Sequence, residues 1–373
     1  MTVKKIGKSS YAYYGKYKKL DGSWKNYYKS GFSTIKAAKS AEESFILGIT
    51  NNTNQDITFD ELVKMFGERS VSMNIKESTL IGHESYYNNH IRGFFGDKNI
   101  SSITPGMIEV WKMEMIRKKT PDGKRYSART INHAKSTLSR YLSYAEQLDL
   151  IKYNPCRKVP DYINQSEIIK RNEDEKNFWE HEEFKKFIDC VDDPYWNLVF
   201  TFMYETGVRE GEMFALTWND INFKSGIIRI SKSITSKTKV KGYAVTTPKN
   251  VNSIRNIDIS DMLLKRILKR FEIENKKDGF TLKYYVFGDV KPLSRTQLAR
   301  FLDIYISKSN VKRITPHGFR HSAATFLIQN RVDDTLIAER LGHTVNELRK
   351  TYAHVYKSMR NDMKNKLNEL YSK

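Results

Sequence analysis

The residues able to do chemistry gather late in this 373-residue chain, between Thr315 and Tyr352. His317 and Arg320 stand at i and i+3, which puts both on one helix face. Leu341-Gly342-His343 reads as a helix stopped by glycine, nine residues before Tyr352. That arrangement suggests a phosphate site beside a possible nucleophile. A guanidinium donates two parallel hydrogen bonds and keeps its charge, so it suits a phosphate that gains charge in a transition state. Arg209 and Lys249 lie far upstream, and His343 adds an imidazole. Two arginine forks and an acid would suit phosphoryl transfer, yet nothing in the linear order brings these groups together. Taken singly, each is as readily a surface or structural residue.

The elements that must position them are legible from periodicity. Helices are expected over 179–191, 195–205 (broken at Gly207), 261–276, 294–309, 318–330, 334–341 and 345–370. Alternation predicts strands over 227–231 and 254–259, with a basic, glycine-containing hairpin region over 232–251 between them. Val355, Met359, Met363, Leu367 and Leu370 leave an apolar stripe on the last helix. Upstream, Phe59, Leu62, Val63 and Phe66 share one helix face, and further helices are expected over 78–89, 104–118 and 128–147, ending before Tyr153-Asn154-Pro155. The N-terminal stretch alternates aromatic and basic residues in two strands, Tyr11 to Tyr17 and Trp24 to Lys29, with turn residues over 20–23. Ser33 or Thr34 then caps a helix over 35–47.

These patterns predict a mainly α fold with small antiparallel β-sheets. They also predict an N-terminal module at 1–55, a helical bundle at 56–156, a charged linker at 157–177 and a chemistry-bearing domain at 178–373. The polar run Asn51 to Gln55 marks the first boundary.

The formal charge of +21, with 64 Lys+Arg against 43 Asp+Glu, calls for a polyanionic partner, and nucleic acid leads. Residues 1–55 carry 10 Lys against 3 acidic groups, whereas 56–156 carry 15 basic against 12 acidic, so bulk charge argues for DNA only in the first module. Lys16, Lys18 and Lys25 on the strands, and Arg129, Lys135 and Arg140 on the 128–147 helix, are the candidate DNA contacts. The three on the helix spread over an arc and do not form a stripe. Cys156 and Cys190 stand alone, with neither a disulfide framework nor a CxxC metal motif. No apolar run of membrane-spanning length and no secretory signal occurs, so a cytoplasmic protein is expected.

Four stretches in order complete the picture: Thr206-Gly-Val-Arg-Glu-Gly-Glu212, His317-Gly-Phe-Arg320, Leu341-Gly-His343 and Thr351-Tyr-Ala-His354. With these, the chain resembles the tyrosine recombinase (phage integrase) family. Thr247-Pro-Lys249 followed by Ser253-Ile-Arg255 is similar to the hairpin that carries the family's lysine. Residues 56–156 resemble its core-binding domain, and 1–50 its small three-stranded arm-binding domain, completing a three-domain architecture.

The resemblance implies that Tyr352 attacks a backbone phosphorus and leaves a 3′-phosphotyrosyl enzyme and a free 5′-hydroxyl. It implies that Arg209 and Arg320 hold the nonbridging oxygens, that His343 donates to them and that Lys249 protonates the leaving oxygen. His317 is then a base or phosphate ligand, and Glu212 orients the site through His317 or Arg209. Tyr356 is a rival nucleophile without the Thr-Tyr-x-His setting, and His321 and Arg340 are expected to be structural or DNA-contacting. A covalent intermediate conserves bond energy, so no nucleotide cofactor is expected, and no metal is expected because the cationic side chains supply the stabilisation that a magnesium ion gives elsewhere.

The implied partners are double-stranded DNA with core-type and arm-type attachment sites, a homotetramer on that DNA, an excisionase and host DNA-bending proteins. The extra basic module favours an integrase of a phage or conjugative transposon, because it lets one protein bridge two DNA sites. A type IB topoisomerase-like relaxing enzyme and a DNA-binding regulator without chemistry are the alternatives.

Overall fold

The computed structural model describes residues 2–7, 10–18, 24–52, 57–73, 75–167, 177–238, 242–247 and 253–372. The chain is mainly helical with small antiparallel sheets, as the periodicity predicts, and it forms two compact units, Met1–Asp174 and Glu175–Lys373. No helix among the described residues is long and apolar enough to cross a membrane.

The first unit opens on a three-stranded antiparallel sheet, β1 (Thr2–Gly7), β2 (Ser10–Lys18) and β3 (Trp24–Phe32), followed by α1 (Ile35–Asn52). Strand β1, read from the residues as no element, exists because it pairs with β2 from Thr2↔Tyr14 to Gly7↔Ser10. Thr34 caps α1 by accepting from the Ala37 N–H at 3.1 Å. The aromatics divide between two jobs. Tyr13 packs against Tyr27, Phe32 and the helix residue Phe45, while Tyr14, Trp24 and Tyr28 are exposed. Lys16 and Lys25 are exposed as well. The Lys18 side chain and the expected turn over 20–23 lie outside the described residues.

The helices of the same unit are α2 (Phe59–Ser72), α3 (Glu77–Tyr86), α4 (Arg92–Phe95), α5 (Pro105–Arg117) and α6 (Ala128–Gln147). Each start is written locally: Thr58 and Glu61 form a capping box, Thr104 caps before Pro105, and Ser127 caps α6. Phe59, Tyr87, Phe95, Trp111, Leu138 and Tyr141 fill the core. The expected linker contributes to it. Val159 is buried and Tyr162 packs against the cluster, and the Asn132 amide both donates to the Tyr162 carbonyl at 2.9 Å and accepts from its N–H at 2.8 Å.

In the second unit, α7 (His181–Asp189), α8 (Pro194–Thr206), α9 (Glu210–Phe214), α10 (Asp261–Glu274), α11 (Arg295–Ser309) and α12 (Pro316–Gln329) surround two small sheets. One sheet orders β4 (Ile221–Asn222), β5 (Ile227–Ile230) and β8 (Arg255–Asp258); the other pairs β6 (Ser233–Thr235) with β7 (Ala244–Thr246). Helix α8 is apolar nearly all round and therefore central. Its Phe200 stacks on Phe319 of α12 at 5.7 Å between centroids. Then come α13 (Asp334–Leu341), α14 (Val345–Thr351) and α15 (Ala353–Tyr371). The single helix expected over 345–370 is thus two, divided at Tyr352 with φ −105° and ψ 21°. The break lets the Tyr352 ring enter a separate cluster with Ala324, Ile328, Leu341, Leu348 and Val355. Of the expected terminal stripe, Val355 is buried, Met359 is half-buried, and Met363, Leu367 and Leu370 are exposed.

Candidate active site

Two helices end at left-handed glycines, and the two arginines of the site are anchored on those ends. Helix α8 stops at Gly207 (φ +61°) and α13 at Gly342 (φ +64°), a conformation that glycine adopts without steric cost. A helix C-terminus leaves carbonyls without intrahelical partners and carries partial negative charge, so it attracts cations. Arg320, on the second turn of α12, donates from Nη1 to the Gly207 carbonyl at 2.9 Å and from Nη2 to the Leu341 carbonyl at 2.5 Å. Arg209 donates from Nη2 to the Gly342 carbonyl at 3.4 Å.

The Arg320 guanidinium is buried, and burial followed by Arg209 lowers its pKa to about 9, so it stays protonated at neutral pH. Its Nη2 also meets His343 Nε2 at 2.8 Å. A guanidinium only donates, so Nε2 accepts and the ring proton of neutral His343 sits on Nδ1. That Nδ1 is buried and has no hydrogen-bond partner among the described residues. Burial, then Arg320 and Arg209, push the imidazole down to about 4, which keeps it neutral.

Glu212, expected to orient the site through His317 or Arg209, does bond Arg209, Nη1 to Oε1 at 2.8 Å. Its second oxygen goes not to His317 but to Arg255 Nη2, at 2.9 Å. Both side chains of the Arg255 pair are almost fully buried, at 2% and 3% exposure, whereas Arg209 is 38% exposed. Burial pushes the Glu212 carboxyl up, but Arg255 and Arg209 with the Arg209 N–H outweigh it and hold it below the ordinary range. Arg255 further donates to the carbonyls of Arg340 at 2.6 Å and Ser253 at 3.1 Å. It thereby ties β8, the strand after the expected lysine hairpin, to the helix that ends at Gly342.

Tyr352 is 1% exposed, and its hydroxyl lies 3.1 Å from His321 Nδ1. Burial raises the phenol to about 12, while the Arg320 charge acts in the opposite sense. His317, in the first turn of α12, is open to solvent on its outer side and sets its ring edge-on to His321, with 4.7 Å between centroids. Burial of its inner side, with Arg320 and Arg209, lowers its pKa. The rival Tyr356 gives its hydroxyl to Asp334 at 2.5 Å.

The fold therefore brings Arg209, Glu212, His317, Arg320, His343 and Tyr352 into one neighbourhood. Lys249 lies outside the described residues. Two members were missed. Arg255 pairs with a residue 43 positions away, and only strand register reveals that. His321, expected to be structural or DNA-contacting, holds the tyrosine, and its i+4 spacing from His317 was the available signal. Arg340 donates to the carbonyls of Asp258 and Glu205 at 2.8 and 3.1 Å, which is a structural role.

In the first unit, Lys135 departs from the expectation of a DNA contact. Its side chain is only 12% exposed, with the ammonium bonded to the Val159 carbonyl at 2.7 Å and paired with Asp161 at 2.5 Å, because the segment after Pro155 folds back over α6. Arg129 and Arg140 are exposed.

Known proteins match this architecture. The model of the phage integrase family matches residues 177–359, and that of the phage integrase N-terminal SAM-like domain matches residues 58–116. The chain belongs to the phage integrase family; it is a tyrosine-type site-specific recombinase, an integrase of a mobile element. Among its relatives, the ICEBs1 integrase of Bacillus subtilis is 28% identical over 332 residues, covering 85% of this chain and 84% of the relative. The prophage ps2 probable integrase of Lactococcus lactis is 24% identical over 358 residues, covering 91% and 90%. Among solved structures, the Tn1549 transposon integrase in complex with a circular intermediate DNA shares the fold at a TM-score of 0.65, with 21% identity, over 83% of this chain and 99% of that one. A lambda integrase dimer bound to a COC′ core site aligns at a TM-score of 0.57, with 18% identity, over 93% and 94%.

Proposed function

We propose that this recombinase cuts and rejoins double-stranded DNA through a 3′-phosphotyrosyl bond to Tyr352. The observation that carries the reading is the cluster at the two glycine-ended helices, where the Arg320 and Arg209 guanidiniums and His343 gather beside a sequestered tyrosine. The two guanidiniums and His343 take the nonbridging oxygens, and their hydrogen bonds strengthen as charge builds on the phosphorus oxygens. Glu212 holds Arg209 in place from behind. Lys249 protonates the departing 5′-oxygen, and His317, at the mouth of the site, is a further phosphate ligand. Attack of the resulting 5′-hydroxyl on the phosphotyrosine reverses the same steps and reseals the strand.

The N-terminal module 1–55 takes arm-type sites, with Lys16, Lys18 and Lys25 on phosphates. The bundle 56–156 and the catalytic domain 178–373 take core-type sites, with Arg129 and Arg140 on the bundle side. Exchange between two duplexes requires four active sites, hence a homotetramer on DNA; the lambda integrase has been captured as a tetramer bound to a Holliday junction. Excisionase and host bending proteins set direction, and the reaction runs in the cytoplasm, on the nucleoid.

A nicked suicide duplex carrying an end of the element tests the proposal. Wild-type protein should form a denaturation-resistant adduct that maps to Tyr352, and Tyr352→Phe should bind the same DNA and form none. An adduct with Tyr352→Phe removes the assignment, and tight binding without an adduct by the wild type identifies a DNA-binding regulator.

A further inference from the structure

His321 stands outside the roles assigned above, yet it is the residue on the tyrosine. It lies at i+4 from His317 and next to Arg320 on α12, so its ring comes off the helix beside the arginine. Its Nδ1 is 3.1 Å from the Tyr352 oxygen, and the two rings meet edge to face with 5.6 Å between centroids. The charged and titratable groups facing it are His317 and Arg320 on its own helix, and Tyr352 and His354 from the chain that packs against it. Burial, followed by His317, Arg320 and His354, pushes the imidazole down to about 4, whereas the phenol is pushed up to about 12. In the resting site the proton therefore stays on the tyrosine, and with the neutral imidazole in its Nε2–H form the tyrosine O–H donates to Nδ1.

We infer that His321, rather than His317, is the general base that takes the Tyr352 proton during strand cleavage. This rests on the reading that Tyr352 is the nucleophile. The Tyr352 Oη forms its bond to phosphorus and passes its proton to His321 Nδ1, while the bond from phosphorus to the 5′-oxygen breaks and that oxygen takes a proton from Lys249. Forming the Oη–P bond withdraws electron density from the phenolic oxygen, and the gathering phosphorane charge raises the proton affinity of the imidazole. The transfer consequently falls within the transition state, where general base catalysis is worth ~10²–10⁴-fold. On resealing, His321 returns the proton to the departing tyrosine. The preference over His317 is geometric: the hydrogen bond to the phenol is made by His321, whereas His317 sets its ring edge-on to that imidazole.

The experiment uses single-turnover cleavage of the nicked suicide duplex by full-length protein, with either oxygen or sulfur as the 5′ leaving atom. His321→Asn keeps an acceptor near the Nδ1 position and cannot take up a proton; thermal unfolding and DNA binding check that it is folded. We expect a loss of ~10²-fold that sulfur does not restore, together with disappearance of the acid limb of the pH–rate profile. A thiolate leaves without protonation, so rescue by sulfur would place His321 on the leaving group and overturn the inference. A wild-type rate, or a uniform loss with the acid limb intact, would equally overturn it. A variant that fails to fold is replaced by His321→Gln, judged by the same three readouts. If Tyr352→Phe still forms an adduct, the nucleophile assignment fails, and that result is separate from any outcome with His321.

Discussion

Replacing Glu212 by Gln tests whether one buried carboxylate holds the site together. The carboxylate bonds Arg209 at 2.8 Å and Arg255 at 2.9 Å, and Arg255 has no access to water that could compensate for the loss. Removing one member of a buried pair leaves an uncompensated charge, which costs about 3–5 kcal/mol. Glutamine keeps one acceptor oxygen, so the lower end applies. For a unit of this size each kcal/mol is worth about 2–4 °C, so the catalytic unit should melt on the order of 10 °C lower at pH 7. The pH dependence follows from the depressed Glu212 pKa. A group held lower in the folded state stabilises above its unfolded value, about 4.3, and that contribution fades as pH falls through the folded value. The gap in Tm between wild type and Glu212→Gln should therefore narrow as pH drops from about 5 toward 3. Differential scanning calorimetry at several pH values measures both. A gap below about 2 °C at pH 7, or one that stays constant into acid, would refute the reasoning.

Two further outcomes follow from features already described. Gly207→Ala introduces a Cβ 2.7 Å from Leu341 Cδ2 and 3.2 Å from Ala323 Cβ at a φ of +61°, so it should cost about 1–3 kcal/mol in chemical denaturation and slow cleavage by displacing the carbonyl that receives Arg320. DNA affinity, measured by fluorescence anisotropy, should fall steeply between about 50 and 200 mM salt, by about three to five decades if six to ten phosphates are contacted; a flat response would contradict the basic faces.

Much of this was written locally. Helix α6 carries its Ser127 cap and an apolar stripe from Ile131 to Ala145, so its ends could be read from the sequence. The glycine stops at Gly207 and Gly342 were equally legible, because they depend on neighbours within one turn. The break at Tyr352 was not legible. The apolar spacing runs on from Leu348 to Val355, and it is packing against Ala324, Ile328 and Leu341, contributed by earlier helices, that draws the ring inward. Arg255 and Lys135 were misread or missed for the same reason. Each is satisfied by a partner that a fold places there, Glu212 in one case and the Val159 carbonyl in the other, and linear spacing carries no trace of either. Even so, four short motifs named in advance side chains that the fold gathers into one neighbourhood, because a phosphate site constrains residue types more tightly than it constrains the packing around them.

The single carboxylate at the centre of this cluster has a consequence for when the protein is under least electrostatic strain. Arg209, Arg255 and Arg320 bring three positive charges, Glu212 returns one negative charge, and the two flanking imidazoles, His321 and His343, are kept neutral. Among the described residues the site thus carries an excess of two positive charges, part of it shut away from water. A DNA phosphodiester neutralises one of them. Forming the phosphorane moves protons and bonds within the site without changing its net charge. What changes is where the negative charge sits: more of it gathers on the oxygens that the guanidiniums are proposed to hold, so the surplus positive charge is best matched at the top of the barrier.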